Sequence, residues 1–115
     1  NKLHYNTSGS IHYVGNINVG TNNLNQTWMG INEEGLAIIN AVADEEYLNN
    51  GSLRTSDNGK FMHDVLSTCS TLDEFRNSIQ NDISNSYNNL FGNYLLLDND
   101  PSEGEQSKLW LYHDS

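Results

Sequence analysis

The sequence has one cysteine, one proline and five basic residues against fifteen acidic ones, for a net charge of −10. A single cysteine, Cys69, excludes an internal disulfide framework and leaves the redox compartment open. Scarcity of Lys and Arg argues against a nucleic-acid partner, whose phosphates are held by clustered cations, and against an anionic membrane surface. There is no apolar run near the roughly 18 residues of a membrane helix and no signal peptide in the sequence as it stands. The four histidines show no His-x-x-x-His pairing, so no zinc site is expected. Asp98-Asn99-Asp100 with Glu103 and Glu105 is acidic enough to suggest calcium. It lacks the glycine and terminal Glu of an EF-hand loop, Pro101 interrupts it, and a solvated turn is the expectation. No cofactor is expected. Apolar residues make up 36% of the chain, below the roughly 45–50% of typical globular domains counted on a slightly wider residue set. At 115 residues the chain is a single domain or an incomplete one.

The densest information lies in Trp28-Met29-Gly30-Ile31-Asn32-Glu33-Glu34-Gly35-Leu36-Ala37-Ile38-Ile39-Asn40. Two apolar runs flank Asn32-Glu33-Glu34-Gly35, which predicts a β-hairpin whose turn ends on a residue free to adopt positive φ. Leu36 to Val42 is apolar without alternation, so this arm is expected to be buried on both faces. Asn40 is the polar exception, either bonded to backbone or reserved for a ligand.

Elsewhere, residues 1–10 are polar and predict a loose start. Ile11, Tyr13, Ile17 and Val19 alternate and predict a half-buried strand bent at Gly15. Residues 47–58 predict a loop. Phe61, Val65, Leu66 and Cys69 recur at helical spacing, with Ser56 or Asp57 as the cap and the start near Gly59. Thr71-Leu72-Asp73-Glu74 is a capping-box pattern opening a second helix on Leu72, Phe75 and Ile79. Residues 81–89 predict a polar loop, 93–98 a buried strand, 99–104 a turn and 108–113 a returning strand. Cys69, at an apolar helix position, is expected to be an inert buried thiol. Three N-glycosylation-type sequons, at Asn6, Asn25 and Asn50, match the number so Asn- and Ser/Thr-rich a chain carries by chance.

Trp-x-Gly-x-Asn-Glu-x-Gly-Leu-Ala-Ile at 28–38 resembles the hairpin of N-terminal nucleophile (Ntn) hydrolases of the penicillin V acylase, choloylglycine hydrolase and isopenicillin N acyltransferase type. Val65-Leu66-Ser67-Thr68-Cys69-Ser70-Thr71-Leu72-Asp73-Glu74-Phe75 resembles the helical segment of that family, and Asn93-Tyr94-Leu95-Leu96-Leu97-Asp98 its following strand. The three segments stand in the family's order and cover most of residues 13–98. The resemblance implies an α+β chain forming part of a four-layer αββα sandwich with antiparallel sheets. It implies action on a linear amide C–N bond of an N-acylated small molecule or peptide.

Members of this family open their mature chain on a nucleophilic cysteine, followed by an Arg and an Asp on a strand pair. This sequence starts at Asn1 without an initiator Met and has none of these, so the nucleophile is expected in a preceding segment of a longer parent chain. The terminal cysteine would supply the thiolate and, through its amino group, the base, while donors elsewhere hold the oxyanion. By resemblance Asn93 is the first oxyanion-donor candidate and Asn40 the second, and Tyr47 and Leu48 could touch the acyl group. The alternative is a non-catalytic acidic binding or interaction domain. A large exposed apolar face would favour the incomplete-enzyme reading.

Overall fold

A computed structural model describes residues 1–41, 57–88, 90, 92–99 and 108–114, with the backbone alone for 92 and 108–114. The chain is α+β. Strands β1 (Lys2–Asn6), β2 (Tyr13–Ile17), β3 (Met29–Asn32) and β4 (Leu36–Ala41) precede helices α1 (Asn58–Thr68) and α2 (Leu72–Asn77). A 3₁₀ turn (Gln80–Asp82), the short helix α3 (Ile83–Ser86) and strands β5 (Gly92–Asp98) and β6 (Lys108–Asp114) follow. The strands form one six-stranded antiparallel meander in sequence order.

Several expectations need correction. Residues 2–6 form an edge strand rather than a loose start, because Asn6 is buried and its carboxamide is anchored. Its Nδ2 donates to Leu24 O and Asn25 Oδ1, and its Oδ1 accepts from Ser8 N and Oγ. The same bonds occupy the nitrogen of the Asn6 sequon. Gly15 is required by close approach rather than by a bend: a Cβ there would lie 2.2 Å from Thr27 Oγ1. Residues 80–86 are helical turns rather than an open loop. Residues 42–56 and 100–107, which include Tyr47, Leu48, the third sequon and most of the acidic turn, lie outside the described residues.

The hairpin is as expected, with Gly35 at φ +92° closing the turn. Its arm β4 is buried on one face only. Leu36 and Ile38 are fully buried, whereas Ile39 is 44% exposed. The unalternating apolar run therefore carries one face packed on helices and one open.

The packed face is the core. Tyr13, Leu36, Ile38, Tyr94 and Leu96 from the sheet meet Phe61, Met62, Val65 and Leu66 of α1 and Leu72 and Phe75 of α2. Phe61 sits at the centre, edge-on to Tyr94, Tyr87 and Phe75 at centroid distances of 4.9, 5.3 and 6.1 Å. Thr71 caps α2, accepting from Glu74 N at 3.1 Å, while the Glu74 carboxylate turns to Ser70 N. Asp57 is the residue before α1 but makes no side-chain cap; its carboxylate accepts from Asn88 N.

Two buried polar residues lock the layers. Asn32 donates from Nδ2 to Leu66 O (3.0 Å) and Cys69 O (2.8 Å), the carbonyls at the end of α1. Its Oδ1 accepts from Glu34 N and Leu36 N, both at 3.0 Å, which fixes the hairpin turn. Asp98, 2% exposed, accepts from Leu72 N at 2.8 Å and pins β5 to the start of α2.

Replacing Asn32 with Leu removes four hydrogen bonds to backbone groups, three of them buried, and each net bond is worth about 1 kcal/mol. The expected loss is about 3 kcal/mol of unfolding free energy by urea titration, at an unchanged m-value.

His63, buried on α1, shares a 2.7 Å hydrogen bond through Nδ1 with Tyr13 OH. Burial lowers its pKa from 6.5 despite the nearby Asp64 carboxylate, and burial raises that of Tyr13 to about 12. A histidine harder to protonate folded than unfolded costs nothing above pH 6.5, where both states are neutral. As pH falls below 6.5 the unfolded chain binds the proton first, so stability drops until the folded-state pKa is passed. His63→Gln should flatten that part of the stability–pH curve, measured by thermal unfolding between pH 7 and 5.

Candidate functional site

The face of the sheet turned away from the helices is where the two candidate asparagines part. In each antiparallel pair the two partners project from the same side. Tyr13, Gly15 and Ile17 of β2, Leu36 and Ile38 of β4, and Tyr94 and Leu96 of β5 take the helix side. The register places Leu3, Val14, Met29, Ile31, Ala37, Ile39, Leu95 and Leu97 on the other side. This outer face is apolar across five strands and open: Leu3 is 77% exposed, Ile31 54%, Met29 49% and Leu97 44%. Single exposed apolar residues are ordinary on protein surfaces, but a contiguous face of them marks a contact yet to be made.

Asn40 pairs with Tyr94 and Asn93 with Ala41. Asn40 therefore belongs to the helix side and Asn93 to the outer side. They are neighbours along the ladder, yet their side chains leave the sheet in opposite directions and cannot converge on one oxygen.

Asn40 Nδ2 is buried without a hydrogen-bond partner among the described residues, so no described backbone group satisfies it. Trp28 Nε1 and Asp98 Oδ1 share that condition. Asn93 is half-buried on a notch of about 240 Å³ lined by Ile39, Asn40, Ala41, Asn93, Tyr94 and Leu95. Ala41, opposite Asn93, leaves room that a larger side chain would fill, and Ile39 and Leu95 pair two residues further along on the same face. A second, apolar hollow of about 340 Å³ lies over Leu3, Val14, Met29 and Ile31 and shares Ile39 with the first.

What this end of the outer face can do chemically is limited but specific. Among the described side chains it offers one neutral carboxamide donor beside an uncharged floor, suited to holding a carbonyl or oxyanion whose substituent is apolar, and the register sets His113 of β6 opposite Asn93. Among the described residues it offers no nucleophile. Cys69 lies on the opposite side, 1% exposed in the core near Thr68 Oγ1 and Ser78 Oγ, both at 3.7 Å. Burial pushes its thiol pKa up, away from the reactive thiolate. Among the described residues no group of three or more His, Cys, Asp or Glu could hold a metal ion, and no helix is long and apolar enough to cross a membrane.

Sequence reasoning named Asn93 and Asn40 as first and second oxyanion-donor candidates without assigning either to a face of the sheet. Pairing register decides that, and register is not written in either strand alone. Ile39, Ala41 and Leu95 were missed as neighbours of Asn93 because their run was expected to be buried on both sides. No family model, no curated protein and no solved structure matches the chain.

A buried Nδ2 without a partner among the described residues adds no stabilising bond, so Asn40→Leu should leave unfolding free energy within about 1 kcal/mol of the parent or raise it. A loss above about 2 kcal/mol in urea titration would mean that Asn40 has a structural partner.

Proposed function

We propose that this chain is the central part of an Ntn-type amide hydrolase or acyltransferase, with its nucleophilic cysteine in a preceding segment of the parent chain. The observation that carries this reading is the bare apolar outer face of the sheet. A sheet packed on helices by one face and apolar on the other is the inner half of a larger layered domain. In a four-layer αββα sandwich that second face meets a second sheet, the missing partner. The resemblance of residues 28–38, 65–75 and 93–98 to the family supplies the same conclusion independently.

In this reading Asn93 is the oxyanion donor, because it alone of the two candidates projects from the face where the other sheet packs. The expected chemistry is acyl transfer. The cysteine thiolate, with the terminal amine as base, attacks the amide carbonyl. Asn93 Nδ2 donates to the resulting oxyanion, and the C–N bond breaks as the amine leaves with the proton. Water, or an acceptor amine in an acyltransferase, then attacks the thioester and regenerates the thiol. Asn40, on the helix side, has no place in this step.

An acidic binding module would need its partner to be met by charge, and the large open face here is apolar instead. The two readings separate on Ile31→Asp. In the parent protein of an αββα sandwich this change buries an unpaired carboxylate between sheets and should cost about 3 kcal/mol or more. On a face that stays open to solvent it should change stability by no more than about 0.5 kcal/mol.

For catalysis, Asn93→Ala in the parent enzyme should lower kcat about 100-fold or more with unfolding unchanged, as removal of one oxyanion donor does. Unchanged turnover would remove Asn93 from the site. The 115 residues alone should hydrolyse no chromogenic acyl amide, and hydrolysis lost on Cys69→Ala would overturn the assignment.

A further inference from the structure

Resting on the reading just given, we propose that His113, set opposite Asn93 by the β5–β6 register, is the second hydrogen-bond donor to the oxyanion. One strand then supplies a carboxamide and its neighbour an imidazole. Across β4, β5 and β6 the polarity of the outer face is confined to one row. Leu97 and Leu95 each stand in a row that is apolar on all three strands, whereas the row of Asn93 runs Ala41, Asn93, His113. Apolar rows are what a surface receiving a second sheet needs. A row with two nitrogen-bearing residues side by side is not, because a polar group taken from water without a partner destabilises the fold. The notch of about 240 Å³ stands at this same row, where Ala41 presents only a methyl group, so there is room beside the pair for a group that both can meet.

The spacing of such a pair suits one oxygen. Two donors that reach a common oxygen at about 2.9 Å, with about 110° between them, lie about 4.8 Å apart. Directly opposed residues of an antiparallel ladder have Cβ atoms about 4.5–5.5 Å apart. A cross-strand pair can therefore close on a single atom, which residues on alternate faces cannot do.

The chemistry calls for a second donor. When the thiolate attacks the amide, the carbonyl oxygen becomes an alkoxide that accepts more than one hydrogen bond, and the Asn93 carboxamide supplies one. An imidazole carries an N–H in both its neutral and its charged form, so the second bond does not depend on the histidine being protonated. As the carbonyl re-forms and the C–N bond breaks, the charge leaves the oxygen and both donors keep their protons.

The test uses the parent enzyme with its cysteine in place and the acetyl, octanoyl and phenylacetyl p-nitroanilides, the fastest of the three being carried through the variants. His113→Phe should lower kcat about 100-fold with KM within about threefold, and His113→Gln, which restores an N–H donor, should recover at least about tenfold of that loss. The aldehyde matching the chosen acyl group adds to the thiol to give a thiohemiacetal whose oxygen takes the oxyanion's place. Its inhibition constant should weaken at least about tenfold in His113→Phe, an effect that a merely structural histidine would not produce at constant KM. His113→Glu, which replaces a donor by a carboxylate that repels the oxyanion, should be at least as slow and decides the matter if His113→Phe does not fold. Turnover within about threefold of wild type in either variant, with Asn93→Ala still about 100-fold slower, would overturn the His113 assignment and leave the amidase reading standing. A loss of kcat that His113→Gln does not recover, with aldehyde inhibition unchanged, would do the same. Hydrolysis of none of the three amides by the parent enzyme would overturn both.

Discussion

The carboxamide of Asn32 is the constraint on which the remaining arrangement depends. It is buried, and all four of its hydrogen-bonding positions are used, two on the hairpin turn and two on the carbonyls that end α1. A residue at the tip of a hairpin thus sets where a helix more than thirty positions downstream must stop. The rotation of the sheet over the helix follows, and with it the choice of which side of β4 is packed. Asp98 repeats the device at the far strand, with a carboxylate oxygen on the first amide of α2. Between these two anchors Phe61 and its ring of Tyr94, Tyr87 and Phe75 fill the interior. The polar bonds set position and the apolar contacts supply most of the stabilising free energy.

Once the packed side is fixed, the open side acquires its meaning. A chain with 36% apolar residues has few to spare, yet Leu3, Val14, Met29, Ile31, Ile39 and Leu97 stand together on a surface left to water. Their placement by register makes them one surface rather than scattered exposures. The same geometry separates Asn93 from Asn40 and decides which of the two can serve the proposed chemistry. Acyl transfer needs the carbonyl held where the second sheet would close over it, and Asn93 stands on that side with Ala41 making space.

Much of the fold is legible in the sequence because the signals are local. Gly35 after Asn32-Glu33-Glu34 announced the hairpin, the spacing of Phe61, Val65, Leu66 and Cys69 announced α1, and Thr71 with Glu74 announced the start of α2. Failures occurred where long-range pairing overrode local composition. Lys2–Asn6 is largely polar and lacks a strand signal, and its ladder with β2 and the bonds of Asn6 to Leu24 and Asn25 hold it in place. Leu36–Ala41 is apolar on both sides, but nothing in that run tells whether the second layer belongs to the same stretch of chain. For the site, Asn40 and Asn93 were legible as candidates but their projection to opposite faces was not, because that is set by the β4–β5 register. Asn32, whose sequence context suggested only a turn residue, is the largest omission.

The central claim is that this chain works as the inner layers of an enzyme whose nucleophile precedes it. It is tested most directly by the N-terminal sequence and intact mass of the mature protein as its source produces it. The account predicts a chain heavier than these 115 residues, opening on cysteine, with that cysteine labelled once by an acylating substrate analogue and the label lost on denaturation with hydroxylamine. A mature protein that carries no cysteine ahead of Asn1 would contradict the account, and the apolar face would then have to be explained as a surface for a separate partner.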